Sequence, residues 1–188
     1  MIMSNYRRAF VPGGTYFFVL NTYKRIPWLS SDIGRAGLRK SIMRVQKLYP
    51  FTIDAIVLLP DHLHMMLTLP DGDSKYPTRL GLIKDFVTRY YGHKLGIEAE
   101  ISQSRKKRKE SNLWQRRYWE HVIRDENDYA HHCDYIHYNP VKHNLCPSPK
   151  DWKFSSFHRF VAQGIYPEDW GAKEVPLIPK DIGGELYL

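Results

Sequence analysis

The spacing of apolar positions changes several times along the chain, and each change marks an element. Thr15–Thr22 (TYFFVLNT) is aromatic and β-branched and follows Pro12-Gly13-Gly14, which predicts a first strand. From Asp32 to about Leu48 the apolar residues Ile33, Leu38, Ile42, Val45 and Leu48 recur at helical spacing between basic residues. Asp32 is the expected N-cap and Pro50 the stop. Thr52–Leu59 (TIDAIVLL) and His62–Leu69 (HLHMMLTL) are short apolar runs parted by Pro60-Asp61, the pattern of a hairpin. A second helix follows Pro77, carrying Leu80, Ile83, Phe86, Val87, Tyr90 and Tyr91 inward. Tyr118–Arg124 alternates as a fourth strand, and Glu126–Asn139 reads as a third long helix that Pro140 ends.

The order β-α-β-β-α-β-α predicts an α+β, ferredoxin-like (split βαβ) fold, an antiparallel four-stranded sheet with helices packed on one face. Residues 1–146 form the expected main domain. Residues 147–188, with one short helix near Ser155–Gln163 and a Pro/Gly-rich end, form a C-terminal appendage on or near the site. No internal repeat is evident.

Composition narrows the class. The 188 residues are 43% hydrophobic and 14% aromatic, enough for a core and unlike a disordered chain. No apolar run approaches the ~18 residues of a membrane-spanning helix, and the first residues show no signal-peptide pattern. Cys133 and Cys146 make neither a disulfide framework nor a zinc finger. These features indicate a soluble, cytosolic protein. The net charge of +8 is uneven, with nine basic residues and one acidic residue in positions 1–50. Such an excess suits a polyanion such as nucleic acid, or a basic surface kept for solubility. The densest run, Arg105-Lys106-Lys107-Arg108-Lys109, is expected in a loop because like charges repel.

Two patterns carry candidate chemistry. In the third predicted strand, His62 and His64 are two residues apart, so both imidazoles face one side while Leu63 and Met65 face the other. Such a pair can chelate one divalent ion if a third ligand arrives from elsewhere; otherwise it is a pair of hydrogen-bonded histidines. On the third long helix His131, Tyr135 and Asn139 are spaced four apart and share a face. A tyrosine there can attack a phosphodiester, with the Asn139 oxygen completing a metal site. A phenol of pKa ~10 needs help from a metal or base to do so. The ordinary reading of aromatics at that spacing is core.

Taken in order, Tyr6-Arg7-Arg8, Gly13-Gly14-Thr15-Tyr16-Phe17-Phe18, Pro60-Asp61-His62-Leu63-His64-Met65-Met66, Trp114-Gln115, Trp119-Glu120-His121-Val122-Ile123-Arg124 and Asp134-Tyr135-Ile136-His137-Tyr138-Asn139-Pro140-Val141-Lys142 resemble the REP-associated tyrosine transposases. These belong to the IS200-like single-tyrosine superfamily, whose HUH motif is matched by His62-Leu63-His64. Asp151-Trp152-Lys153-Phe154-Ser155-Ser156-Phe157-His158 fits as well, so the resemblance spans about residues 4–170.

The resemblance implies Mg²⁺- or Mn²⁺-dependent nicking and rejoining of single-stranded DNA at repetitive extragenic palindrome (REP) hairpins. By it Tyr135 is the nucleophile, forming a 5′-phosphotyrosine link and freeing a 3′-hydroxyl. His62 and His64 are metal ligands, with Asn139 third, although related transposases place glutamine on this helix. It also implies a monomer acting on the bacterial nucleoid, with no membrane partner.

Further contacts are expected from residue type. Arg7 and Arg8 can grip a recognition tetranucleotide, and Arg116, Arg117 and Lys142 can hold phosphates. Trp114, Trp119 and Trp152 can stack on unpaired bases, or lie in the core. Either Glu120 or His121 looks into the site. An acidic end beyond Pro167 can fold over the basic cleft. Two rival readings stay open: a non-catalytic hairpin-binding module on the same sheet, and a metal-dependent hydrolase using water.

Overall fold

The structure, a computed structural model, describes residues 8–97, 101–108, 110–179 and 182. Tyr6 and Arg7 lie outside them. The long elements are β1 (Thr15–Asn21), α1 (Asp32–Leu48), β2 (Thr52–Leu58), β3 (His62–Thr68), α2 (Tyr76–Tyr91), a short α3 (Gln103–Lys107), β4 (Trp119–Val122), α4 (Glu126–Lys142) and a short α5 (Phe157–Ala162). The four strands make one sheet in the order β2-β3-β1-β4, with every pairing antiparallel. This is the expected α+β architecture, and β3 and β1 run through its middle. Among the described residues no helix is long and apolar enough to cross a membrane.

Helices cover both faces of this sheet, not the single face that the element order predicts. Strand alternation sends Leu63, Met65 and Leu67 to one side with Tyr16, Phe18 and Leu20, where α1 and α2 supply Leu38, Val45, Leu80 and Val87. The other side takes Phe17, Val19, Ala55, Val57 and Met66 and packs against Cys133, Tyr135 and Ile136 of α4. A third helix is needed because both sides of the central strands are apolar enough to demand cover. At the α1–α2 crossing, Gly37 lets the helices approach: a Cβ there would lie 2.8 Å from the Tyr91 ring.

Several local expectations are corrected. Ser31, not Asp32, caps α1, its hydroxyl accepting the Gly34 N–H at 3.0 Å. Pro140 does not end α4, which continues to Lys142. Proline removes only its own N–H, and the following turn closes through His143 N–H to the Asn139 carbonyl at 3.0 Å and Leu145 N–H to the Pro140 carbonyl at 2.9 Å. The basic run begins on a helical turn rather than a loop, because Arg105 points inward. Its guanidinium donates to the carbonyls of Ser111 and Trp114 and lies 4.1 Å over the Tyr23 ring. Lys109 is outside the described residues.

The chain after α4 is tied to the outer edge of β2. Leu58 N–H donates to the Phe154 carbonyl at 2.8 Å, the Trp152 indole donates to the Leu58 carbonyl at 2.9 Å, and Val57 bridges Ser155. Ser156 Oγ accepts the Ile56 N–H at 2.9 Å and meets His137 Nε2 at 2.8 Å. An otherwise open strand edge is thereby closed. Phe157, Phe160 and Tyr166 then join the α4-side core.

Candidate active site

β3 is buried along nearly its whole length, and its two histidines face α4. The register sets His64 directly between Val19 of β1 and Val57 of β2, and pairs His62 with Asn21. The rings of His62 and His64 are 4.9 Å apart and nearly perpendicular. His62 is anchored from behind: its Nδ1–H donates to Asp61 Oδ1 at 2.7 Å, and Asp61 Oδ2 pairs with Arg25 Nε at 2.7 Å. A carboxylate only accepts, so the proton sits on Nδ1 and the lone pair on Nε2, the form that binds a metal. Burial also pulls the His62 imidazole below its ordinary pKa, against the bond to Asp61, which keeps the ring neutral. Burial raises the Asp61 carboxyl, but the hydrogen bond from His62 and the charge of Arg25 outweigh it and hold it below the usual range.

Arg25 reaches Asp61 from a strained backbone. Lys24 and Arg25 both take positive φ, 53° and 56°, at a cost of about 1–2 kcal/mol each for non-glycine residues. The ion pair and a bond from Arg25 to Asn21 Oδ1 hold that turn in place.

α4 presents Asp128, His132, Tyr135 and Asn139 toward the sheet, a stripe at spacings of four, three and four, and the exposed Lys142 follows at its end. The buried partner of Tyr135 one turn back is therefore His132, while His131 is half-buried at the margin. The Tyr135 ring is 2% exposed and stands edge-on to His64, 5.2 Å away, and to Phe17, 5.9 Å away. Lys142 Nζ lies 4.8 Å over its ring. Asn139, one turn beyond, is wholly buried, and neither Oδ1 nor Nδ2 has a hydrogen-bond partner among the described residues. An amide so placed loses hydration without replacement. A cation accepted by Oδ1 together with two imidazoles would restore it, so His62, His64 and Asn139 fit the divalent ion the sequence implied.

The structure thus brings His62, His64, Tyr135, Asn139 and Lys142 to one place. Three residues went unread in the sequence. Asp61 was legible, since a carboxylate preceding a ligating histidine is a common orienter. Arg25 and His143, whose ring is 5.0 Å from that of His62, were not; a strained turn and the end of α4 deliver them.

The outlying residues divide. Arg8 lies on the far face of the sheet, its Nε 3.3 Å from buried Glu120 and its guanidinium 4.7 Å over Tyr118. Glu120 therefore points away from the site, and His121 toward the α4 side. Arg116 and Arg117 are exposed just before β4, with Arg116 Nε 3.5 Å from Glu110. Trp114 is 4% exposed and edge-on to Trp28 at 4.8 Å, so it is core rather than a stacking platform. Trp119 and Trp152 are half-buried against the α4-side core.

Residues 11–139 match the family described as transposase IS200-like. The chain is 42% identical over 168 residues to the REP-associated tyrosine transposase of Escherichia coli K12, covering 89% of this chain and 91% of the relative. It is 43% identical over 180 residues to a Haemophilus influenzae protein provisionally given the same description, covering 96% of this chain and all of the relative. A solved structure of a REP-associated tyrosine transposase bound to a REP hairpin superposes with a TM-score of 0.75 at 40% identity, over 96% of this chain and 100% of the other.

Proposed function

The chain belongs to the REP-associated tyrosine transposases of the IS200-like family, and from that premise we propose that it nicks and rejoins single-stranded DNA at REP-type hairpins through Tyr135. One observation carries the reading: the Tyr135 ring stands against His64, one turn from an Asn139 amide that is buried without a hydrogen bond among the described residues. A binding surface gains nothing from an orphaned amide beside two metal-ready histidines. In the nicking step the Tyr135 oxygen bonds to phosphorus as the P–O3′ bond breaks. The phenol proton is lost and the departing 3′ oxygen gains one. Rejoining is the reverse, with a 3′-hydroxyl displacing the tyrosine.

The chain's own residues prepare this exchange. Lys142 over the ring favours negative charge developing on the phenol. Packing by Phe17 and His64 fixes the ring direction. His62, His64 and Asn139 would hold Mg²⁺ or Mn²⁺, whose chemistry when bound is polarisation of a phosphate and neutralisation of charge on the leaving oxygen. Arg116, Arg117 and Lys142 would contact DNA phosphates. Arg8, docked on Glu120, and Arg7 would grip the DNA. The protein would act as a monomer in the bacterial cytoplasm, where its DNA lies. The C-terminal residues 147–188 would support α4 rather than supply chemistry.

The test incubates the protein and Mn²⁺ with labelled single-stranded REP hairpins and resolves protein-linked DNA on denaturing gels. A covalent adduct is expected, absent from Tyr135→Phe and His64→Ala. Cleavage without an adduct that survives Tyr135→Phe would overturn the tyrosine mechanism in favour of water. Tight binding with no cutting under any metal would leave a binding module.

A further inference from the structure

Two turns toward the N-terminus of α4 from Asn139, a second set of metal-binding side chains converges between β4 and the helix. His121 Nε2 is 2.8 Å from Asp128 Oδ2, and the His132 ring is held beside the same carboxylate by its protonated Nδ1, 3.0 Å from Asp128 Oδ1. One ligand atom from each of the three lies within 4.8 Å of the others. An ion bound at about 2.0–2.2 Å to nitrogen and oxygen donors holds them closer together than that, so the side chains must turn inward to take it. Phe17 walls this group off from the first site: its ring lies 4.8 Å from His132 on one side and 5.7 Å from His64 on the other.

We propose that His121, Asp128 and His132 form a second divalent-metal site, for a transition-metal ion of the zinc, cobalt or manganese class, that clamps β4 to the first turns of α4. Two imidazoles and one carboxylate are a donor set for such ions. A second observation points to a ligand. The Nδ1–H of His132 donates to the Asp128 carbonyl at 2.8 Å, which leaves the lone pair on Nε2, and that nitrogen is buried with no hydrogen-bond partner among the described residues. His121 is half-buried and opens a path to solvent.

The carboxylate is ionised and ready. Burial raises its pKa, but bonds from His121 and from the Arg124 N–H and side chain hold it down at about 2. Metal entry moves the His121 proton from Nε2 to Nδ1. It also swings out the Arg124 side chain, 70% exposed and 3.1 Å from Asp128 Oδ2. The His121 and His132 rings, stacked 4.7 Å apart at 16°, turn toward a shared ion.

The site stands apart from His62 and His64, so it is tested without them. The full-length His62→Ala/His64→Ala chain is titrated with Co²⁺ and followed by visible absorption, with circular dichroism to check folding. One equivalent with inner-sphere ligand-field bands is expected, weakened at least tenfold by His121→Gln and lost with His132→Gln. The unaltered chain should likewise lose one equivalent with His132→Gln. Failure of the double-alanine chain to take up Co²⁺, or retention of its equivalent in both glutamine variants, would overturn the proposal. Neither result bears on the Tyr135 adduct, which is read separately on gels.

Discussion

On the α1–α2 face of the sheet, Leu63, Met65 and Leu67 alternate inward beside Tyr16, Phe18 and Leu20; on the α4 face the intervening His62, His64 and Met66 stand beside Phe17 and Val19. The same strands supply both sides, and both are almost fully buried. One side meets aliphatic and aromatic helix faces and has little to do but exclude water. The other meets a helix whose inward stripe carries Asp128, His132, Tyr135 and Asn139. Burial on that face does not maximise stability, because it encloses groups that would rather be hydrated. It fixes their direction and sets their protonation. Neighbouring residues of β3 therefore differ in what they are for, and that difference can be attacked directly.

The largest expected contrast is in activity. Tyr135→Phe should lower covalent adduct formation by at least about a thousand-fold while the urea-unfolding midpoint barely moves. Next comes the adjacent pair on β3. Leu63→Ala should cost about 2–5 kcal/mol in urea denaturation and leave cleavage per folded molecule unchanged, whereas His64→Ala should abolish cleavage at a far smaller cost in stability. An equal loss of stability in both would show that the two faces are not divided as described. Asp61→Asn should weaken Mn²⁺ binding about 10–100-fold by calorimetry, since the orientation of His62 is lost while the ligand remains.

The smallest effect is in pH dependence and again belongs to the α4 face. Burial, with Arg159 adding to it, pushes the His137 imidazole down to about 3. Above its unfolded pKa of ~6.5 the ring is neutral in both states, and its contribution to stability is complete. As the pH falls toward 3 the unfolded chain takes up a proton that the native one refuses, so stability is lost, by up to about 1.4 kcal/mol per pH unit. His137→Gln should flatten that slope in urea midpoints measured from pH 7 to 4.

The legibility of the chain followed the range of the interactions. Alternation in β1 and β3 and the spacing in α1 were local, and those elements appear within a residue or two of their expected limits. Pro140 was misread because the cost of one missing N–H looked decisive, although the next turn closes around it. Arg105 was misread because a run of like charges conceals the one member whose guanidinium finds carbonyls and a ring inside. Trp114 was left between core and surface because nothing local tells a stacking tryptophan from a packed one.

The sequence by itself determined the strand that carries both imidazoles on one face and the helix that carries the tyrosine, because side-chain direction along a strand or helix follows from backbone period alone. Only the tertiary structure decided what those groups meet: His64 against Tyr135, Asp61 and Arg25 behind His62, and an Asn139 amide sealed without a partner among the described residues. Only it drew His121 to His132 across β4 and α4. Those contacts join residues far apart in the chain, and periodicity carries no information about which buried polar groups share a cavity.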